Sequence, residues 1–281
     1  MKRALKKKYP GLYEKLGMGR VFLVRLRASL LRFVSQRYEN IINPKTNLLP
    51  IDVKVGWSIV IITDGKSNNL LQQAIQSMTR ELKGTPFEII VVGPPRLARE
   101  AFMAGVRHVP YRELNLASGW ITKKKNMGVA LARYDKVVLT HDYLALEPGW
   151  KKGFDEFGSD FDVCMNRIIN TDGARWKDWI KFDVSTMKFA LIPYDAKHTE
   201  HQYISGTYFA VKRNFYAENP LDENLRWGEG EDAEWSRRII PITEFHMNTG
   251  SVVKLLRYKP LPPGLEENGQ KIKEKPAHQR S

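Results

Sequence analysis

Glu229, Glu231, Asp232 and Glu234 crowd into the segment from Trp227 to Arg238, and a further carboxylate, Asp142, stands in Thr140-His141-Asp142-Tyr143. Carboxylates grouped in this way can take a proton from a hydroxyl group or hold a divalent cation through oxygen. Gly228 and Gly230 loosen the chain just ahead of the acidic cluster, as suits a loop that approaches a ligand. The cluster opens a short helix, whose dipole stabilises acidic side chains, so a capped surface helix accounts for the same pattern. The functional reading makes Asp232 or Glu231 a general base.

The elements that must position these groups alternate. Trp57 to Ile62 is an apolar, β-branched run that stops at Thr63-Asp64-Gly65, a strand ending in a turn. Asn69 to Leu82 repeats apolar residues at helical spacing. Phe87 to Val92 reads as a second strand ended by Gly93-Pro94-Pro95, Asn126 to Arg133 as a helix, and Asp135 to Thr140 as a strand running into His141 and Asp142. Tyr208 to Val211 alternates as another strand. The pattern predicts an α/β fold, a mostly parallel sheet flanked by helices. Ligands in such sheets sit at the carboxyl ends of the strands, where Thr63, Gly93 and Asp142 fall.

Lys123-Lys124-Lys125-Asn126 precedes the expected helix, where free N–H groups and lysine charge favour phosphate; a solvated basic turn fits equally. Arg175, Trp176, Asp178 and Trp179 follow a turn at Asn170 to Gly173. Rings that stack on sugars beside hydroxyl-bonding charges would make a carbohydrate acceptor site; a buried Trp pair braced by an Asp–Arg contact is the alternative. His141 or His246 could add an imidazole to a metal at Asp142, more compatible with Mn²⁺ than with Mg²⁺. His108, His198, His201 and His278 have no partner at metal-site spacing.

Strand–Thr63-Asp64-Gly65, strand–Val91-Val92-Gly93, Lys124-Lys125-Asn126-Met127-Gly128, strand–His141-Asp142, Glu147-Pro148-Gly149-Trp150, Ser205-Gly206-Thr207 and Glu231-Asp232 come in the order seen in family 2 glycosyltransferases of the GT-A fold. The chain resembles that family from about Val55 to Tyr258. The resemblance implies a nucleoside-diphosphate sugar donor, most often a UDP-sugar, and inversion at the anomeric carbon with Asp232 as base. It places Thr63, Asp64, Gly65, Gly93, Lys125, Asn126 and Asp142 at the donor and Gly206 at the acceptor. It implies a divalent cation, Mn²⁺ or Mg²⁺, on Asp142 with His246 closing over it. Two positions depart from the family: Gly93 replaces an aspartate that contacts the nucleobase, and the usual Asp-x-Asp holds one carboxylate.

The ends carry a different message. Net charge is +14, and Met1 to Arg37 is basic throughout with Glu14 its only acid. Gly19 to Tyr38 has helical periodicity interrupted by arginines, so it suits an anionic membrane surface rather than a span. We expect a basic amphipathic arm over 1–38, a linker over 39–54, the catalytic domain over 55–258 and a polar, disordered tail over 259–281. Cys164, the only cysteine, excludes an internal disulfide and reads as a core residue of a protein in a reducing cytoplasm, peripheral on the membrane. Three readings compete. The first is a sugar transferase acting on a glycan or lipid-linked acceptor in cell-surface polysaccharide or glycoconjugate synthesis. The second is a nucleotidyltransferase, for which a single lysine after the first strand is sparse. The third, a nucleic-acid binder, is disfavoured by charge confined to the arm without a binding module.

Overall fold

The computed structural model describes residues 30, 33–43, 46–99, 105–114, 119–183, 188–196, 201–261, 265–267 and 270–271. Most of the basic arm and much of the tail lie outside these residues, as do His198 and His278. Two compact units result. The smaller draws on 1–45 and 112–119 and contains a helix over 33–42, so the first residues of the expected linker are helical.

The larger unit opens with β1 (Lys54–Ile62), α1 (Asn68–Glu81), β2 (Phe87–Gly93) and β3 (Val106–Pro110), followed by α2 (Ile121–Ala130) and β4 (Tyr134–His141). Next come β5 (Leu144–Leu146), α3 (Trp150–Phe157), β6 (Val163–Ile169), β7 (Trp179–Asp183), β8 (Lys188–Leu191), β9 (Gln202–Ile204) and β10 (Tyr208–Lys212). The chain then forms α4 (Arg213–Glu218), α5 (Glu231–Ile239), β11 (Phe245–Leu255) and the short strands β12 (Glu266–Glu267) and β13 (Gln270–Lys271). An eight-stranded sheet runs β3-β2-β1-β4-β10-β6-β11-β5, and a smaller sheet runs β13-β12-β8-β7-β9.

β1, β2, β3 and β4 are parallel, and β1 is buried from Gly56 onward, which is why it reads as a continuous apolar run rather than an alternating one. Leu71, Ala74, Ile75 and Met78 form the buried face of α1. α2 seats close on β1 because Gly128 has no side chain: a Cβ there would stand 2.2 Å from Val60 Cγ1. β10 is antiparallel to β4, with Tyr208 opposite Thr140, so the segment entering β10 lies beside the segment leaving β4. That reversal brings Gly206 and His141 to one edge of the sheet.

Two boundaries differ from expectation. α2 begins at Ile121 rather than Asn126, so the three lysines lie inside the helix. The chain beyond Tyr258 is not uniformly outside the fold: Leu265 is buried with Ile180, Leu191 and Tyr203, and β12 pairs with β8. Burying one leucine contributes about 1.5–3 kcal/mol, enough to hold a polar segment against the small sheet.

Candidate active site

A cleft of about 450 Å³ opens where β4 ends and β10 begins, within the range of small-molecule sites. Glu231 and Asp232 line it from α5, His141 and Tyr143 from the end of β4, and Lys177 and Lys259 from two further segments. Rings of Trp176, Phe182, Phe189, Tyr203 and Trp227 supply much of its wall.

The acidic end is tied to the sheet by backbone hydrogen bonds. Gly206 N–H donates to Asp232 Oδ2 at 3.0 Å, and Ala233 N–H donates to Oδ1 at 2.9 Å. Ser236 Oγ donates to the Asp232 carbonyl at 2.6 Å and accepts the Ile204 N–H at 2.9 Å, fastening α5 to β9. Burial pushes the Glu231 carboxyl up, the Asp232 charge adds to that push, and Lys125 and Lys177 pull it back. This pair is what the sequence marked as base candidates, and the structure brings both to one cleft.

Lys125 occupies a different place from the one expected. Its ammonium is buried and donates to the Gly206 carbonyl at 2.6 Å, so it positions the loop beneath the acids instead of meeting a phosphate in the open cleft. Burial lowers its proton affinity, against the opposing pull of Glu231 and Asp232. Asn126 is likewise structural: its amide donates to the Leu221 carbonyl and Glu223, and its oxygen accepts from Tyr216. Lys124 Nζ donates to the Thr63 carbonyl at 3.1 Å. α2 is therefore a buried polar hub that reaches the ends of β1 and β4–β10. The ammonium groups lie over rings, Lys123 over Trp120 and Lys125 over Phe209, which helps a Lys-rich helix to be buried.

At the strand tips, Thr63 Oγ1 donates to Asp142 Oδ2 at 2.5 Å and accepts the Gly65 N–H at 2.8 Å. Burial raises the Asp142 carboxyl, the Thr63 hydroxyl pulls it down, and Asp64 raises it again. Asp64 itself is partly exposed and paired with Lys66 at 2.9 Å. Gly93 ends β2 against Thr63, where a Cβ would stand 2.5 Å from the Thr63 methyl. The predicted donor residues Thr63, Asp64, Gly65, Gly93 and Asp142 thus form one cluster around the carboxyl ends of β1, β2 and β4.

Burial drives His141 well below the usual imidazole range, and Lys125, Lys259, Lys124 and Arg257 add to the shift. A neutral ring is the ligating form of histidine. Asp142 supplies a hard oxygen, and Mg²⁺ or Mn²⁺ bound to diphosphate commonly needs just one or two carboxylates. Asp142 alone fits such an ion on that footing: His141 stacks with Tyr143 and lines the cleft, Asp142 between them turns to Thr63 instead, and among the described residues no group of three His, Cys, Asp or Glu side chains converges on one point. His246 does not join Asp142. It pairs with Cys164 at the start of β6, in line with Ala210 and Val138, roughly 13 Å of strand short of Asp142. There it lines a separate cavity with Asp160, Asp162 and Lys212. The separation follows from topology: β11 runs parallel to β6, so its first residues lie at the amino ends of the parallel strands.

The expected acceptor segment divides. Asp178 is fully buried, accepting from Arg175 Nε at 2.7 Å, Tyr194 Oη at 2.8 Å and the N–H groups of Trp179 and Ile168. Arg175 stacks on Tyr194 and donates to the Ile192 carbonyl, and Trp179 donates its indole N–H to the Ala196 carbonyl. Those three residues brace the start of β7, which is the alternative the sequence left open. Only Trp176 faces the cleft, next to Lys177, whose positive φ of 32° turns the chain there.

The sequence reading missed the cations beside Tyr143. Lys259 Nζ donates to Tyr143 Oη at 2.5 Å and lies 3.8 Å from its ring centre, with the Arg257 guanidinium 4.6 Å from the same ring. Burial, Arg257 and Lys177 lower Lys259 to about 8. In the sequence Lys259 falls in the tail, because the following prolines end the apolar pattern, and no local motif marks it. Trp227, which heads the acidic segment in the sequence, is 62% exposed at the cleft rim.

No family model matches the sequence, and no curated protein matches it. Among solved structures, GalNAc-T7 with UDP, GalNAc and Mn²⁺ superposes over 81% of this chain and 46% of its own, at TM-score 0.54 and 16% identity. TarS 1-349 of S. aureus matches over 72% of this chain and 60% of its own, at TM-score 0.45 and 13% identity. The chain therefore spans about half the length of these two structures. Together with the sheet order and the strand-end cleft, the likeness to the first shows that this chain has the GT-A glycosyltransferase fold.

Proposed function

We propose that this cleft transfers a sugar from a nucleoside-diphosphate donor to the hydroxyl of a glycan or lipid-linked saccharide, in cell-surface polysaccharide or glycoconjugate synthesis. The observation that carries the reading is the meeting of both charges in one cleft: Glu231 and Asp232 line it together with Lys177 and Lys259. A transferase needs both, a base for the acceptor proton and fixed cations for the departing diphosphate. UDP is the favoured nucleotide, in keeping with the family 2 resemblance and with the UDP held by GalNAc-T7.

In this mechanism Asp232 accepts the proton of the acceptor hydroxyl as its oxygen bonds to the anomeric carbon. The bond from that carbon to the diphosphate oxygen breaks, and the electron pair leaves with the diphosphate. Lys259, Arg257 and Lys177 stabilise the charge that develops there. Attack opposite the leaving group inverts the anomeric carbon, a stereochemistry that rests on the family 2 resemblance. Asp142 would hold a divalent ion together with the diphosphate, and such an ion would act as a Lewis acid on the phosphate oxygens. Glu231, held protonated more readily than an ordinary carboxyl, assists by limiting negative charge next to the base.

A thermal-shift panel of nucleoside diphosphates and sugar nucleotides, each with and without Mn²⁺, tests the proposal, because a ligand of the native state raises its melting temperature. One nucleotide family stabilising the wild type, and stabilising Lys259→Ala less, is the expected result. A flat panel would remove the donor site.

A further inference from the structure

The helix over 33–42 is amphipathic in the inverted sense. Phe33, Val34, Arg37, Tyr38 and Ile41 fall on one side of it and are all exposed, Ile41 at 75% and Phe33 at 61%. The other side carries Ser35, Glu39 and Asn43, all buried. Glu39 Oε1 accepts the Leu114 N–H at 3.0 Å. Asn43 accepts the Arg112 N–H at 2.8 Å and donates to the Arg112 carbonyl at 2.9 Å. A surface helix normally buries its apolar stripe and wets its polar one. Here polar bonds hold the helix in place, and the apolar stripe is left for an occupant outside the unit.

Charge identifies that occupant. The chain leading into the helix, Met1 to Arg32, is basic with Glu14 its only acid, and Arg37 lies within the apolar stripe. Apolar side chains in line with a dense cationic flank are what lets a helix lie in the headgroup region of an anionic bilayer. No described helix is long and apolar enough to cross a membrane. We infer that the Phe33–Ile41 face docks on anionic lipid, with the apolar side chains entering the acyl boundary and the basic residues holding the headgroups. This holds whether or not the cleft is a transferase.

The test compares the full-length wild type with Phe33→Ser/Ile41→Ser, which leaves every charge unchanged. Both are sedimented with vesicles of phosphatidylcholine alone or mixed with phosphatidylglycerol. The wild type should sediment with the mixed vesicles and not with the neutral ones, and the double variant should bind about tenfold more weakly. Equal binding by the two proteins would reduce the contact to charge alone and overturn the role of the face. So would a wild-type dimer that the double variant disperses, since the stripe would then be a contact between copies. A second measurement does not depend on that variant folding well. A polarity-sensitive dye on Ile41→Cys is selective because Cys164, the only native cysteine, is buried. Its emission should shift to the blue on mixed vesicles; an unchanged spectrum would overturn the inference.

Discussion

Gly206 donates its amide to Asp232 at 3.0 Å, and the contact is tight for a side chain: a Cβ would stand 3.1 Å from both Asp232 Cβ and Glu231 Oε1, so the acids would have to give way. The backbone conformation of Gly206 is not the obstacle, so alanine would act through crowding alone. We predict that Gly206→Ala displaces the acidic pair, costs about 1–3 kcal/mol of stability in urea unfolding, and lowers kcat at least tenfold. Unchanged turnover would show that the loop is free to move away.

Lys125 stands behind the same contact. Its removal in Lys125→Met deletes a cation that pulls the Glu231 carboxyl down, so Glu231 would hold its proton to higher pH. Glu231 assists in its protonated form, so the limb of kcat/KM that follows its ionisation should move to higher pH in the variant. A pH profile reads this separately from any general loss of stability, and an unmoved limb would detach Lys125 from Glu231.

Lys259 is lowered to about 8, so it is charged below that pH and neutral above it. If its charge receives the diphosphate, kcat/KM for the donor should fall as pH rises through about 8. Lys259→Arg, which keeps its charge there, should flatten that fall. The stability sign is opposite: between about 8 and the ordinary lysine value of 10.5 the folded protein binds fewer protons than the unfolded chain, so over that window this residue's contribution rises with pH.

Trp227 reaches solvent at the rim and contributes little to the core. Trp227→Ala should therefore leave the melting temperature within a degree or two while raising the acceptor KM by about tenfold, the value of one lost ring contact. A change in donor affinity instead would place the indole on the other side of the cleft.

Strand tips were legible because their signals are local. Thr63, Gly93 and Asp142 follow apolar runs that parallel pairing buries, and their clustering needs no more than the order of the strands. Glu231 and Asp232 were visible as acids opening a helix. Burial of Lys124 and Lys125 was not, because carbonyls 61 and 81 residues away receive their ammonium groups. Lys259 and Tyr143 meet across 116 residues, a contact that the sequence between them does not announce. His246 was misplaced for a related reason: its distance along the chain from the acids says nothing about which end of β11 it occupies.

The most direct test of the transferase account is release of nucleoside diphosphate from sugar nucleotides by wild type and Asp232→Asn in the presence of saccharide acceptors. The account predicts acceptor-dependent release by the wild type and a loss of about 10²–10⁴-fold in the variant, with donor binding retained in the thermal-shift panel. Near-normal turnover by Asp232→Asn would contradict Asp232 as the base, and no release from any donor by the wild type would contradict the transferase itself.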